Sequence, residues 1–114
     1  MYRDGKIYMG LCDEGPVEMA LNMANRHGLI AGASGTGKTI TMKVMAESFS
    51  DAGVPVFLCD VKGDVSGLGA PGAPSESMEK RIDKFGIRDS FEYRAYPVCF
   101  WDIYQEKGHP VRAT

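Results

Sequence analysis

A glycine-rich octapeptide has the residue types and the spacing that are typical of phosphate binding. It reads Gly-Ala-Ser-Gly-Thr-Gly-Lys-Thr over residues 32–39 and fits the pattern G-x-x-x-x-G-K-S/T. Its glycines let the backbone turn successive N–H groups towards a phosphate, in conformations that a side chain would disfavour. Lys38 can bring a positive charge to the β- and γ-phosphates of a nucleotide, and the Thr39 hydroxyl can ligate Mg²⁺.

The segments on either side of this loop follow the order that a phosphate-binding loop requires. An apolar run at residues 28–31 directly precedes the loop and is predicted to be a strand. A helix is predicted from residue 38 to about residue 52, with Gly53 as the residue that ends it. The positive end of the helix dipole would face the same anion as the loop does. Strand, loop and helix together predict a nucleotide-binding site.

Carboxylates that follow apolar runs are candidates for holding the metal. Asp60 ends the run 54–60, and Asp102 follows the run 98–101. Strand-end carboxylates of α/β sheets lie near ligands, so Asp60 is the first candidate Mg²⁺ residue and Asp102 the second. The alternative interpretation is that each simply ends its strand. Asp64 is either a further water-mediated contact or a turn residue.

Nucleotide hydrolysis requires groups beyond a phosphate cradle. A residue must orient the attacking water, and an arginine often stabilises the transferred phosphoryl group. Neither Asp60 nor Asp102 is followed by Glu, the usual water-activating partner in motor ATPases. The candidate arginines are not distinguished by the sequence, and they are Arg81, Arg88, Arg94 and Arg112.

Alternating strand-like and helix-like segments indicate an α/β fold with a parallel sheet. We interpret residues 1–27 as N-terminal strands and a connection, 28–103 as a βαβαβ core, and 104–114 as a tail of one domain. The first part has strands at 6–11 and 17–21. The core adds strands at 54–60, 93–96 and 98–103, a glycine- and proline-rich loop at 61–75, and a second helix that Ser75 caps and Gly86 ends. Because complete domains of this type have more strands, the sequence predicts a partial core.

Composition excludes several other classes of protein. The 114 residues carry a net charge of −2, which argues against a surface that holds nucleic acid by itself. No apolar run approaches the length of a membrane span. The three cysteines are widely spaced, so a disulfide framework or zinc site is not expected, and a reducing cytoplasm is predicted. Cys59 and Cys99 lie in apolar runs and are predicted to be buried.

Several separate segments carry a resemblance to a known family. Residues 25–32 leading into the loop, 49–57, 60–64, 97–102 and 108–112 resemble the HerA/FtsK-like P-loop ATPases. The closest similarity is to the bacterial branch called HerA-like helicases of uncertain function. This resemblance implies a RecA-like P-loop NTPase core that forms rings, binds ATP between subunits and couples ATP hydrolysis to DNA translocation or processing. Family members are considerably longer, so the resemblance covers an N-terminal fragment of the motor core.

The resemblance also assigns roles to residues of the loop. Lys38 is the catalytic and phosphate-binding residue, Thr39 is the Mg²⁺ ligand, and Asp60 is not the main metal-binding acid of the family. ATP or ADP with Mg²⁺ is the expected cofactor, and little hydrolysis is expected without the acidic pair and the arginine finger. The predicted cofactor-binding residues are Gly32, Ser34, Gly35, Thr36, Gly37, Lys38, Thr39 and Ile40, with Thr41 as a candidate α-phosphate contact.

Two alternative functions remain open from the sequence. One is a small P-loop kinase of a metabolite or nucleoside, with Asp60 as base or metal anchor and residues 63–75 as a lid. The other is a non-enzymatic module whose assembly responds to nucleotide. A partial sheet leaves a strand edge and an apolar face unpaired, so a dimer or higher oligomer is predicted. DNA is expected as a partner only within a full-length ring, and no membrane partner is expected.

Overall fold

The N-terminal part of the chain is an antiparallel sheet. The computed structural model describes residues 1–111, and its first three strands are β1 (Tyr2–Arg3), β2 (Lys6–Cys12) and β3 (Gly15–Ala20), in the order β1-β2-β3. The turn between β1 and β2 has positive φ at both Asp4 (48°) and Gly5 (75°), as a type I′ hairpin requires. Strands are therefore confirmed at both predicted places, 6–11 and 17–21, and the second runs from Gly15 to Ala20, with Leu21 opening a 3-10 turn.

The first helix, α1 (Lys38–Asp51), matches the predicted helix to within a residue. It ends in a Schellman motif around Gly53, whose φ is 78°. The Gly53 N–H donates to the Ser50 carbonyl (3.0 Å), and the next N–H donates to the Phe49 carbonyl (2.9 Å). The motif satisfies carbonyl groups that would otherwise lack partners at the end of the helix.

The second helix, α2 (Glu76–Lys84), begins and ends as the sequence predicts. The Ser75 hydroxyl accepts a hydrogen bond from the Met78 N–H (3.3 Å), which is the expected N-cap. Gly86 follows the helix with a φ of 62°, and the next N–H, that of Ile87, returns to the Ile82 carbonyl (3.2 Å). A second Schellman motif therefore ends this helix.

The small core includes the face where α1 packs on the antiparallel sheet, and α2 contributes a buried side chain to it. Helix α1 packs on β2, and the buried apolar side chains of the described part come one each from three elements: Ile7 of β2, Ala46 of α1 and Ile82 of α2. Ser48 is fully buried as well, and its hydroxyl donates to the Val44 carbonyl one turn earlier (2.6 Å). This internal bond satisfies the hydroxyl inside the core.

The parallel core sheet predicted for residues 28–103 is not confirmed, although the α/β class is. Residues 28–31, 54–60 and 93–100 run without ladder partners among residues 1–111, and Leu29 and Phe57 are 89% and 82% exposed. A strand is stabilised by bonds to a neighbouring strand, and the described residues place no strand beside these segments.

The parallel pairing that does form is short and lies near the end of the chain. Strand β4 (Trp101–Asp102) pairs with β5 (His109–Pro110) in parallel. Strand β5 lies within the segment 104–114 that the sequence predicts to be a tail, of which residues 112–114 are outside the described part. The prediction that Cys59 and Cys99 are buried is wrong, because the segments that carry them are unpaired and both thiols are exposed.

The glycine- and proline-rich loop at 61–75 is attached to the segment that follows α2. It contains a 3-10 turn, Ser66–Gly69, and the Leu68 carbonyl accepts a hydrogen bond from the Tyr96 N–H (3.0 Å). A β-carbon added at Gly69 would lie 2.7 Å from a methyl carbon of Val98, so only glycine allows this close approach.

Neither helix within residues 1–111 has the length and apolar character needed to cross a membrane.

Replacing Ile82 by Ala should destabilise the fold, because this side chain is only 2% exposed and joins α2 to the core. Truncation of a buried isoleucine costs about 2 kcal/mol or more of unfolding free energy. The matched control is Ile103→Ala at a position that is 67% exposed, where the change should stay within about 0.5 kcal/mol. Urea denaturation of both variants measures the difference, and equal losses would contradict the placement of α2.

Candidate phosphate-binding site

The octapeptide forms an open turn that leads directly into the first residue of α1. Gly35 and Gly37 have φ values of 77° and 96°, in the left-handed region that favours glycine. Gly37 is the N-cap of α1 and supplies no side-chain oxygen, so the first-turn N–H groups have no side-chain cap within residues 1–111. An anion at this position would receive those N–H groups together with the positive end of the helix dipole.

The Lys38 side chain folds back over the loop. Its ammonium group donates to the Ala33 carbonyl oxygen at 2.7 Å, and the Thr36 hydroxyl donates to the same oxygen, also at 2.7 Å. An ammonium group has three donor hydrogens, so two remain for phosphate oxygens while the bond to Ala33 persists. The structure therefore places the lysine charge at the loop, where the sequence pattern predicts it.

The remaining predicted residues of the site lie along the same continuous segment. Thr39 and Ile40 belong to the first turn of α1, and Ile40 is 52% exposed. The Thr41 hydroxyl donates to the Gly37 carbonyl (3.2 Å) within the helix. Ser34 is exposed in the loop. The loop and helix thus bring residues 32–41 together, and their roles with a nucleotide stay predictions.

Asp60 closes the loop that follows it. One carboxylate oxygen accepts the N–H groups of Lys62 (3.2 Å) and Gly63 (2.9 Å), and the other accepts that of Val65 (2.9 Å). These backbone bonds, with Val65 contributing most, hold the pKa of the Asp60 carboxyl below its usual value. Within residues 1–111 no hydrogen bond joins Asp60 to the phosphate loop, and its role as a metal ligand stays a prediction.

Asp102 repeats this arrangement at the end of β4. Its oxygens accept N–H groups from Tyr104 (2.8 Å), Glu106 (2.9 Å) and Lys107 (2.9 Å). The backbone bonds, with Lys107 contributing most, hold the pKa of the Asp102 carboxyl below its usual value. Both aspartates thus stabilise the loop that follows them, and of the two only Asp102 ends a strand within residues 1–111.

The candidate arginines differ in how they are engaged. Arg88 donates to two carboxylates of α2 at 2.7 and 2.9 Å, which raises its pKa above the usual arginine value. Arg94 pairs with Asp51 and lies 4.7 Å from the ring centre of a neighbouring tyrosine. Arg81 lies 5.9 Å from the ring of the phenylalanine after α2. Arg112 is outside the described residues. Arg88 and Arg94 therefore have carboxylate partners within this chain.

Fold and site together define an α/β chain in which a glycine-rich phosphate-loop sequence opens a helix. A family model described as helicase HerA-like C-terminal matches residues 8–114, which include the loop and both helices. The chain belongs to this family, and the match confirms the resemblance seen in the separate sequence segments. Searches of curated proteins and of solved structures found no match.

An ordinary aspartate titrates at about pH 4, and the Asp60 carboxyl should titrate at a lower pH. Its folded pKa is lowered, so its contribution to loop stability is present above about pH 4 and is lost as the pH falls through the folded value. NMR titration of the Val65 amide proton measures this midpoint. Asp60→Asn should abolish the titration, whereas Asp64→Asn, at a carboxylate that makes none of these bonds, should leave it intact. A Val65 midpoint at or above about pH 4 would contradict the assignment.

Proposed function

We propose that this chain binds ATP or ADP with Mg²⁺ through residues 32–39, as part of a HerA/FtsK-like ATPase that couples ATP hydrolysis to DNA translocation or processing. The observation that carries the proposal is the Lys38 ammonium group held over a loop with two left-handed glycines, at the start of an uncapped helix. Membership of the HerA-like family supports the activity of the parent protein.

The residues present fit a magnesium nucleotide. Lys38 retains two donors for phosphate oxygens, and the N–H groups of Gly35, Gly37 and the first turn of α1 supply further donors. The Thr39 hydroxyl is a hard oxygen ligand of the kind that Mg²⁺ accepts. Asp60 stays a candidate ligand and ranks behind Thr39, because its oxygens already accept three loop N–H groups. When bound, Mg²⁺ would neutralise phosphate charge.

We propose further that this chain alone binds nucleotide and hydrolyses it slowly. Phosphoryl transfer requires a group that orients the attacking water and usually an arginine. The candidate residues for these roles already have partners within the chain. Asp60 and Asp102 accept hydrogen bonds from loop N–H groups, and Arg88 and Arg94 are paired with carboxylates. Family membership favours this ATPase role over a small-molecule kinase, and ³¹P NMR that detects phosphoryl transfer to a metabolite would reverse that preference.

Lys38→Ala should weaken ATP·Mg²⁺ binding about tenfold or more, because the lysine would make charge-assisted hydrogen bonds to phosphate. Isothermal titration calorimetry measures the affinity. Lys43→Ala, which removes the same charge one turn further along α1, is the matched control and should bind like the wild type. Equal binding by wild type and Lys38→Ala would contradict the proposed site.

We also propose that the chain self-associates through its unpaired apolar segments. Leu29 and Phe57 are 89% and 82% exposed on segments whose backbone has no ladder partner in the described part. Extended, apolar, unpaired backbone is a template for pairing with another strand. The occupant proposed here is a second copy of this chain.

Sedimentation velocity should show a dimer or higher oligomer whose population rises with protein concentration. Phe57→Lys should shift the equilibrium towards monomer, because it places a charge on the pairing segment. Val61→Lys adds the same charge at a fully exposed position just beyond that segment and should leave association unchanged. A wild-type chain that stays monomeric at every concentration would rule out self-association.

A further inference from the structure

The turn that forms the phosphate loop is closed by a side chain more than by the backbone. The backbone N–H of Thr36 lies 3.4 Å from the Ala33 carbonyl oxygen, at the long limit of a hydrogen bond. The Thr36 hydroxyl donates to the same oxygen at 2.7 Å, the usual length for such a bond. Removing the hydroxyl would therefore leave the turn with only a weak backbone bond.

The same carbonyl oxygen also fixes the lysine. Lys38 donates its ammonium group to Ala33 at 2.7 Å, so one oxygen receives both strong donors and its two lone pairs are occupied. The position of the Lys38 charge is thereby linked to a side chain two residues earlier. The sequence pattern predicts that Thr36 is a cofactor-binding residue and assigns no role to its hydroxyl. The tendency of threonine hydroxyls to close local turns is the signal that could have indicated more.

Gly32 makes room for the Thr36 hydroxyl. A β-carbon added at Gly32 would lie 2.6 Å from the Thr36 hydroxyl oxygen, closer than two such atoms approach. Gly32 does not have a positive φ, so its requirement for glycine comes from space rather than from backbone conformation. Replacing Gly32 by Ala would consequently displace the hydroxyl while leaving Thr36 itself unchanged.

We propose that the Thr36 hydroxyl is a positioning residue for nucleotide binding: it holds the Ala33 carbonyl in the orientation that places Lys38 over the loop. The hydroxyl acts through Ala33 and Lys38 and makes no phosphate contact of its own. This inference rests on the proposed nucleotide-binding function. The inference identifies the Thr36 hydroxyl as a further group on which the affinity for nucleotide depends.

The first test compares ADP·Mg²⁺ affinity in the full 114-residue chain by isothermal titration calorimetry. Thr36→Val keeps the branched shape and removes the hydroxyl, and it should weaken binding about three- to tenfold, the effect of one lost hydrogen bond. Thr36→Ser keeps the hydroxyl and should bind within about twofold of the wild type. Thr36→Val binding as tightly as the wild type, with Lys38→Ala weakened, would overturn this inference and leave the proposed function in place.

The second test needs no nucleotide and follows the Ala33 carbonyl carbon by ¹³C NMR. Thr36→Val should move this signal, and Thr36→Ser should leave it near the wild-type position. Introduced into the wild-type chain, Gly32→Ala should shift the Ala33 signal as Thr36→Val does, because it displaces the same hydroxyl. Introduced into the Thr36→Ala variant, which has no hydroxyl to displace, Gly32→Ala should change the Ala33 signal little further. If the Ala33 signal is unchanged in both Thr36→Val and Gly32→Ala, the inference is overturned. A lower stability of either variant would not alter that conclusion, because the signal reports the geometry of the turn.

The two tests separate the possible failures. If wild type and Lys38→Ala bind ADP·Mg²⁺ equally, the proposed function fails, and with it the role of Thr36 in binding. The Ala33 signal then shows separately whether the hydroxyl closes the turn. Weakened binding by Thr36→Val, rescued by Thr36→Ser and accompanied by the Ala33 shift, is the result that the inference predicts.

Discussion

The packing of α1 on the antiparallel sheet is the interaction on which the geometry of the phosphate loop depends. The loop runs without interruption into the first turn of α1, so the direction of its N–H groups follows from the direction of the helix. That direction is set some turns away, where α1 packs on β2 and Ala46 and Ser48 are buried. The proposed site for phosphate is in this way oriented by contacts that no phosphate would touch.

Features that depend on local signals could be predicted from the sequence, and those that depend on distant partners could not. The bounds of α1 and α2 follow from the glycine that ends each one and from the Ser75 cap, which act within a few residues. The apolar run at 54–60 indicates a strand but does not show which segment would pair with it. The described residues supply none, so Phe57 lies exposed instead of in a parallel sheet.

The candidate site divides in the same way. The octapeptide pattern located Lys38 and the two left-handed glycines, because these requirements are local. The pattern could not show that the Thr36 hydroxyl and the Lys38 ammonium group meet at one carbonyl oxygen, since that depends on the path of the turn. An aspartate after an apolar run looks the same in sequence whether it binds metal or loop N–H groups, and the structure shows the N–H bonds at Asp60.

We propose that the backbone of residues 32–39 receives the phosphates of a nucleotide. The most direct measurement is a ¹H–¹⁵N NMR titration of the labelled chain with ADP·Mg²⁺, with adenosine as the ligand that lacks phosphate. ADP·Mg²⁺ should cause large shifts at the amides of the loop and the first turn of α1, and adenosine should cause none there. These amides are those of Gly35, Gly37, Lys38 and Thr39. Shifts confined to other parts of the chain, or equal shifts with both ligands, would contradict it.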